Sequence, residues 1–128
     1  MIVVDSCGWL SYFTNDANAA FFASALEDPK QVLVPAVVVY EVCRRLRHLY
    51  GAEFEAKGYA FLSLARPAPV DGAICRQAAV AAVEHKLAMA DAIIWQTAQA
   101  HGAALYTQDV DLQGLPGVVY RPKLSPSP

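Results

Sequence analysis

The chain opens with a short β-branched apolar run that ends on an acid, Met-Ile-Val-Val-Asp, and a similar run returns late in the chain at residues 104–109. An unbroken apolar run of this length is typical of a parallel strand that is buried on both faces. In an open α/β sheet, ligands bind just beyond the carboxyl ends of such strands. We therefore expect Asp5 and Asp109 to lie at one edge of one sheet.

Two further acids, Glu41 and Asp91, each stand in an otherwise apolar stretch with helical spacing. If the fold brings them to the same edge, four carboxylates meet there and repel one another unless a cation lies between them. Oxygen ligands of this kind suit a hard divalent cation such as Mg²⁺. The chemistry that this arrangement favours is cleavage of a phosphodiester bond.

Between the two strand-like runs, the apolar spacing alternates between helix and strand. We expect a helix capped by Ser6, a second short strand over residues 31–34, and a following helix that carries Glu41 beside its apolar stripe. Residues 73–101 have helical spacing throughout and contain no strong breaker. The sequence therefore leaves open whether Asp91 begins a helix or lies in the middle of one.

The length of 128 residues fits one domain, which we place at residues 1–121. The end of the chain, residues 122–128, is rich in proline and serine, and we expect it to be a disordered tail. No apolar run approaches the roughly 20 residues of a membrane-spanning helix, and the start of the chain lacks the basic region of a secretory signal. We infer a cytoplasmic protein that does not enter the membrane.

Taken alone, the net charge of −2 and the pI near 5.8 argue against a nucleic-acid partner. The average hides a basic cluster, because Arg44, Arg45 and Arg47 follow directly after Glu41. These arginines are candidate RNA contacts. The alternative is a solvated helix face in which Glu41 pairs with Arg45 one turn later, and the sequence leaves both interpretations open.

Each acid also has a simple structural explanation when it is taken alone. Asp5 suits the cap of the following helix, Asp91 suits a helix N-terminus, and Asp109 with Asp111 suits a turn. Their joint placement is what favours a metal site, because two acids follow strands and two lie on helical segments between them.

Four segments together resemble the PIN-domain ribonucleases, and the closest likeness is to the VapC-type toxins of bacterial toxin–antitoxin modules. These segments are residues 1–6, 39–41, 87–94 and 105–112. The Ala-Asp-Ala-Ile-Ile step and the Thr-x-Asp-x-Asp step within them are the most specific parts. The resemblance covers nearly the whole chain, up to about Arg121.

The resemblance implies a three-layer α/β/α sandwich with a mainly parallel sheet. It also implies an endoribonuclease that depends on Mg²⁺ or Mn²⁺, forms a homodimer, and is inhibited by a cognate antitoxin encoded beside it. A catalytically silent PIN-like module that binds RNA or protein is the alternative function.

Within that expectation we assign the central metal ligands to Asp5 and Asp91, with Asp109 completing the shell. We expect Glu41 to act through water or as a proton acceptor. Asp111, further round the loop than Asp109, is expected to act through water or only through its electric field.

Two hydroxyl residues, Ser6 and Thr107, are expected to donate hydrogen bonds that orient the acids. Two other classes of protein also place an acid at the end of a first strand. An aspartyl-phosphate phosphatase normally has a second acid two residues on, where this chain has Cys7. A receiver-like switch needs a paired acid beside the first strand and a late lysine after a strand, and the sequence has neither pattern.

Overall fold

A computed structural model of the protein describes residues 1–124, and within them the chain folds around a sheet of five strands. The strands are β1 (Ile2–Val4), β2 (Val32–Pro35), β3 (Arg66–Ala68), β4 (Ala104–Thr107) and β5 (Val118–Tyr120). The helices are α1 (Ser6–Thr14), α2 (Ala19–Ala25), α3 (Ala36–Tyr50), α4 (Ala52–Leu62), α5 (Gly72–His85) and α6 (Met89–Ala100). Short 3₁₀ turns at Pro29–Gln31 and Val110–Leu112 precede β2 and β5.

All neighbouring strands of the sheet run parallel, in the order β3-β2-β1-β4-β5. Strand β1 is central, and its consecutive residues Val3 and Val4 are both fully buried. Because consecutive side chains of a strand point to opposite faces, helices must cover both faces of the sheet. The predicted α/β sandwich with a parallel sheet is therefore confirmed.

The strand order reverses at β1, because β2 lies on one side of it and β4 on the other. Such a reversal opens a crevice at the carboxyl ends of the two strands. The register pairs Val4 with Tyr106, so the residues that follow, Asp5 and Thr107, lie side by side at the mouth of this crevice.

The cap of α1 differs from the expectation. Ser6 is the first residue of the helix, and Asp5 is its N-cap, with an extended backbone and a carboxylate that accepts a hydrogen bond from the Gly8 amide. The expectation that Ser6 caps the helix is therefore wrong. A carboxylate is a better acceptor than a hydroxyl for the free amides of a first turn, and its negative charge also favours the helix N-terminus.

Close packing under α1 keeps this cap in place. A Cβ atom at Gly8 would lie 2.5 Å from Cγ1 of Val4 and 2.6 Å from the ring of Phe22. Only a glycine therefore lets the first turn of α1 lie this close to β1 and α2. This close approach sets the distance from the helix to the end of the central strand.

The long helical stretch at residues 73–101 is divided into two helices. Helix α5 ends at His85, Lys86 adopts a left-handed backbone with φ of 55°, and α6 begins at Met89. Asp91 thus lies in the first turn of α6, where the helix dipole favours an acid. The sequence gives little sign of this break, because a lysine stands where a glycine is the usual left-handed residue.

Strand β2 covers residues 32–35, one residue later than expected, and Pro35 serves both as its last residue and as the N-cap of α3. Of the expected tail, residues 125–128 lie outside the described residues. Residues 122–124 lie in neither a helix nor a strand. None of the helices described is both long enough and apolar enough to span a bilayer.

Candidate active site

The four acids singled out by the sequence line one open cleft at the carboxyl edge of the sheet, with a volume of about 770 Å³. Asp5 and Asp109 follow the neighbouring strands β1 and β4, whereas Glu41 comes from α3 and Asp91 from α6. Segments far apart in the chain therefore supply the acids. The predicted convergence is present in the structure.

Asp5 is nearly fully buried, and three donors hold its carboxylate. The Gly8 amide and the Cys7 thiol each donate to Oδ1 over 2.9 Å, and the hydroxyl of Thr107 donates to Oδ2. Burial raises the pKa of Asp5 above its ordinary value, and these hydrogen bonds oppose part of the rise. The carboxylate is thus fixed in orientation at the floor of the cleft.

The contact with Cys7 is a part of the site that sequence reasoning missed. Burial, followed by the charge of Asp5, raises the pKa of this thiol, so the sulfur keeps its proton and donates it to the carboxylate. Cys7 lies two residues after the cap of α1, and its thiol bonds to the carboxylate of that cap. Position and polarity were therefore the available signal, but a lone cysteine is more often an inert part of a core.

The two hydroxyl residues each donate a hydrogen bond to one of the acids. Thr107 donates to Asp5 and accepts a hydrogen bond from the Asp109 amide at 2.9 Å, so one hydroxyl connects both strand-end acids. Ser6 donates to Oε1 of Glu41 over 2.5 Å and so joins α1 to α3. Each hydrogen bond limits the rotamers of an acid that would otherwise turn toward solvent.

Asp91, Asp109 and Asp111 form a compact group in which one carboxylate oxygen from each lies within 4.8 Å of the others. Asp109 caps the turn at Val110–Leu112 and accepts the Asp111 amide at 2.9 Å. Asp111 is exposed, as expected, but it lies closer to the group than its position further round the loop suggested.

The electrostatics of this group are unfavourable without a cation. Burial, followed by the charge of Asp109 and the smaller effects of the charges of Asp5 and Glu41, raises the pKa of Asp91 to about 7. The donors of this group are carboxylate oxygens, and the nearby carboxylate of Asp5 is held by the protonated thiol of Cys7. These residues therefore fit a hard divalent cation such as Mg²⁺ or Mn²⁺.

The basic cluster on α3 is only partly directed at the cleft. Arg44 and Arg45 line it, whereas Arg47 does not. The alternative pairing of Glu41 with Arg45 is not formed, because among residues 1–124 the ion pair closer than 4.0 Å is the one between Lys57 and Glu53. Two arginines thus remain available at the rim of an acidic site.

The raised pKa of Asp91 predicts a stability effect of defined sign. In metal-free protein, the folded state keeps a proton on Asp91 that the unfolded chain releases near its ordinary pKa of 3.8. This contribution to stability is complete at pH values below that pKa and is lost as the pH rises through about 7. We therefore expect Asp91→Asn to stabilise the metal-free protein at about pH 8, by about 1 kcal/mol after allowance for partial exposure, and to change little at about pH 4.

Thermal unfolding in EDTA at the two pH values measures this difference. Glu84→Gln, which removes an exposed acid from α5, is the matched control and should leave the melting temperature unchanged at both. With Mn²⁺ present the order should reverse, since metal binding stabilises only the wild type strongly. A melting temperature for Asp91→Asn below that of the wild type in EDTA at about pH 8 would show that the acids do not strain the fold.

We expect the neighbouring acids Asp109 and Asp111 to contribute differently to metal binding. Asp109 is half-buried and lines the cleft, whereas Asp111 is exposed on the 3₁₀ turn. We expect Asp109→Asn to weaken Mn²⁺ binding about tenfold or more, which is about 1.4 kcal/mol, and Asp111→Asn to weaken it appreciably less. Calorimetric titration with Mn²⁺ measures both, and the reverse order would mean that Asp111 is the direct ligand.

Comparison with known proteins gives a consistent result. The family described as the PIN domain matches residues 2–118. No curated protein matches the chain. A toxin–antitoxin complex from Klebsiella pneumoniae has a similar structure, with a TM-score of 0.79 and 27% identity over 93% of this chain and 96% of that chain.

Two further solved structures share the fold at lower identity. VapC20 of Mycobacterium tuberculosis, described as a toxin that cleaves the sarcin-ricin loop, has a TM-score of 0.73 and 22% identity over 87% of this chain and 92% of its own. VapBC2 of Rickettsia felis, bound to a fragment of promoter DNA, has a TM-score of 0.74 and 14% identity over 95% of this chain and 98% of its own.

Proposed function

This chain belongs to the PIN domain family and has the fold of its VapC-type toxins, and from that premise we propose that it is a metal-dependent endoribonuclease that acts as the toxin of a toxin–antitoxin pair. The observation that carries the proposal is the meeting of Asp5, Glu41, Asp91 and Asp109 in one cleft. A binding module without catalysis has no need for this costly concentration of negative charge, so we favour the enzyme over the silent module.

In this proposal Asp5, Asp91 and Asp109 hold Mg²⁺ or Mn²⁺. A bound divalent cation lowers the pKa of a water and stabilises the charge that develops on the phosphate oxygens. Asp5 is suited to its role because Gly8, Cys7 and Thr107 fix its carboxylate before metal binds. Preorganisation of this kind removes the cost of ordering the ligand during binding.

Glu41 is suited to a different role, because its second carboxylate oxygen is left free when Ser6 donates to Oε1. We assign it to accept the proton of the attacking water, directly or through a second water. Hydrolysis then breaks the bond between phosphorus and the leaving ribose oxygen. Arg44 and Arg45, at the rim, are assigned to phosphates of the RNA on either side of that bond.

Removal of one ligand tests the nuclease function. Asp5→Asn should keep the fold, because an asparagine oxygen still accepts the hydrogen bond from the Gly8 amide and caps α1. Loss of an orienting partner alone costs about 10- to 100-fold in metal affinity or activity, so loss of a direct ligand should lower RNA cleavage by at least that factor. Growth arrest on induction should disappear with it.

The matched control is Asp71→Asn, which changes an exposed N-cap of α5 to another good cap and should leave cleavage and growth arrest intact. EDTA should abolish the cleavage by the wild type, and Mn²⁺ should restore it. Equal growth arrest by wild type and Asp5→Asn, at equal soluble levels, would contradict the nuclease mechanism.

We assign the antitoxin to an apolar groove of about 440 Å³ between α1 and α4, lined by Tyr12, Phe13, Phe54, Lys57, Gly58 and Phe61. The groove lies near the acidic cleft, because the ring of Phe54, which lines the groove, packs at 4.9 Å from that of Tyr50, which lines the cleft. An apolar antitoxin segment in the groove could thus extend a basic side chain to Glu41 or Asp91 and displace the metal.

The homodimer stays a prediction, and exposed apolar side chains on α5 and at the start of α6 support it. Val80, Val83 and Met89 are 50%, 82% and 75% exposed. Val80 and Val83 lie three residues apart on one face of α5, and neighbouring exposed apolar side chains are typical of a protein interface. We assign this surface to the second copy.

Light scattering of the protein, alone and with the product of the neighbouring antitoxin gene, measures dimer formation and antitoxin binding. We expect a dimer that binds the antitoxin, and Phe54→Ala should weaken the antitoxin complex, whereas Tyr59→Ala, on the same helix but outside the groove, should not. A strict monomer at micromolar concentrations that forms no complex with the antitoxin would contradict these assignments.

A further inference from the structure

Two buried amide side chains beside the cleft, Asn18 and Gln108, have no role in the chemistry proposed above. They are 3% and 7% exposed. Nδ2 of Asn18 donates to Oε1 of Gln108 at 2.9 Å and to the carbonyl oxygen of Pro122 at 3.0 Å, and Nε2 of Gln108 donates to the Cys7 carbonyl at 3.4 Å. A buried amide costs free energy unless its polar atoms find partners, so these contacts hold a defined arrangement.

Asn18 and Gln108 hold the segment that follows β5. The Arg121 amide donates to the Thr107 carbonyl at 3.0 Å, and the Arg121 guanidinium lies 4.6 Å from the centre of the Phe21 ring. Together with the bond from Asn18 to Pro122, these contacts place residues 121–123 across the end of β4. As a result Lys123, beyond the last strand, lines the acidic cleft.

Lys123 and the arginines of α3 flank the acids from different sides. Helix α3 follows β2, on one side of the central strand, whereas the terminal segment follows β5, on the other side. The cleft thus has an acidic floor between a cationic wall with Arg44 and Arg45 and a second cationic wall with Lys123. An RNA strand laid across the acids needs such flanking cations, because the carboxylates repel its phosphates.

We propose that Lys123 is an RNA-binding residue, and that Asn18 and Gln108 form a clamp that positions it at the cleft. The proposal rests on the ribonuclease function and adds to it a second wall of the RNA-binding site. Lys123 contacts a phosphate and therefore contributes affinity and not sequence preference. Asn18 is a positioning residue, since it acts through its hydrogen bond to the Pro122 carbonyl, and Gln108, which also lines the cleft, holds the Asn18 amide in place.

Binding of a fluorescein-labelled single-stranded RNA of mixed sequence, followed by anisotropy in EDTA, tests the proposal without cleavage. Lys123→Ala should raise the Kd about two- to fivefold at low salt, as expected for loss of one exposed ion pair. The slope of log Kd against log salt concentration should fall by about 0.7, the value for one phosphate contact on a single strand. Lys123→Arg should keep both values.

The matched control is Lys30→Ala. Lys30 is exposed on the 3₁₀ turn before β2, at the opposite edge of the sheet from the cleft. Lys30→Ala removes the same charge from the protein as Lys123→Ala, so it corrects for any effect of net charge alone. Equal effects of Lys123→Ala and Lys30→Ala on Kd and slope would overturn the proposal.

Asn18→Ala tests the clamp through a double-mutant cycle with Lys123→Ala. If the clamp positions Lys123, the two substitutions together should weaken RNA binding no more than Lys123→Ala does alone. If Asn18 has only a structural role, Asn18→Ala should lower the melting temperature, and its effect on Kd should add to that of Lys123→Ala. Additive effects would overturn the clamp. If Asn18→Ala does not fold, Gln108→Ala, which removes the acceptor of the Asn18 amide, takes its place in the cycle.

The outcomes distinguish failure of this inference from failure of the proposed ribonuclease function. Failure of the wild type both to bind RNA in EDTA and to cleave it with Mn²⁺ would overturn the ribonuclease function together with the inference. RNA binding that Lys123→Ala leaves unchanged, with weaker binding of the antitoxin instead, would overturn the inference alone and assign Lys123 to the protein partner.

Discussion

The burial of one carboxylate at the end of the central strand organises the rest of the site. Asp5 is nearly inaccessible to water, and an ionised carboxylate in such a place requires hydrogen-bond donors. Helix α1 supplies two of them through Gly8 and Cys7, and β4 supplies the third through Thr107. The same contacts tie the first helix and the fourth strand to β1. The carboxylate that we propose as a metal ligand is therefore also a structural joint, beside which the chain packs closely at Gly8.

The remaining acids are placed where their charges oppose folding. Asp91 and Asp109 approach each other at the helix and strand ends, and the pKa of Asp91 rises because the charged form is disfavoured. A protein without a cation to bind would gain stability by losing one of these acids. Local rules of sequence and structure are commonly violated at functional sites, where the loss of stability is accepted for chemistry. The strain in this cleft thus agrees with its proposed use.

The acidic net charge of the chain conceals a site with mixed charge. The acids concentrate at the floor, where a cation would neutralise them, while Arg44, Arg45 and Lys123 stand at the walls. Such a distribution attracts a polyanion to the rim and a metal to the centre, although the sum over the chain is −2. Composition therefore underestimates the attraction of this surface for a polyanion, because that attraction depends on where the charges lie.

The sequence by itself identified β1, β2 and β4 as strands and placed the acids Asp5 and Asp109 just after β1 and β4, because burial on both faces leaves an unbroken apolar run. It also identified the family, through short motifs around the acids. The tertiary structure alone decided that Asp5 and not Ser6 caps α1, that Lys86 breaks the long helical stretch, and that an amide clamp directs Lys123 to the cleft. The physical reason is distance along the chain. Local patterns reflect neighbours three or four residues apart, whereas the contacts from Thr107 to Asp5 and from Asn18 to Pro122 join residues 102 and 104 positions apart.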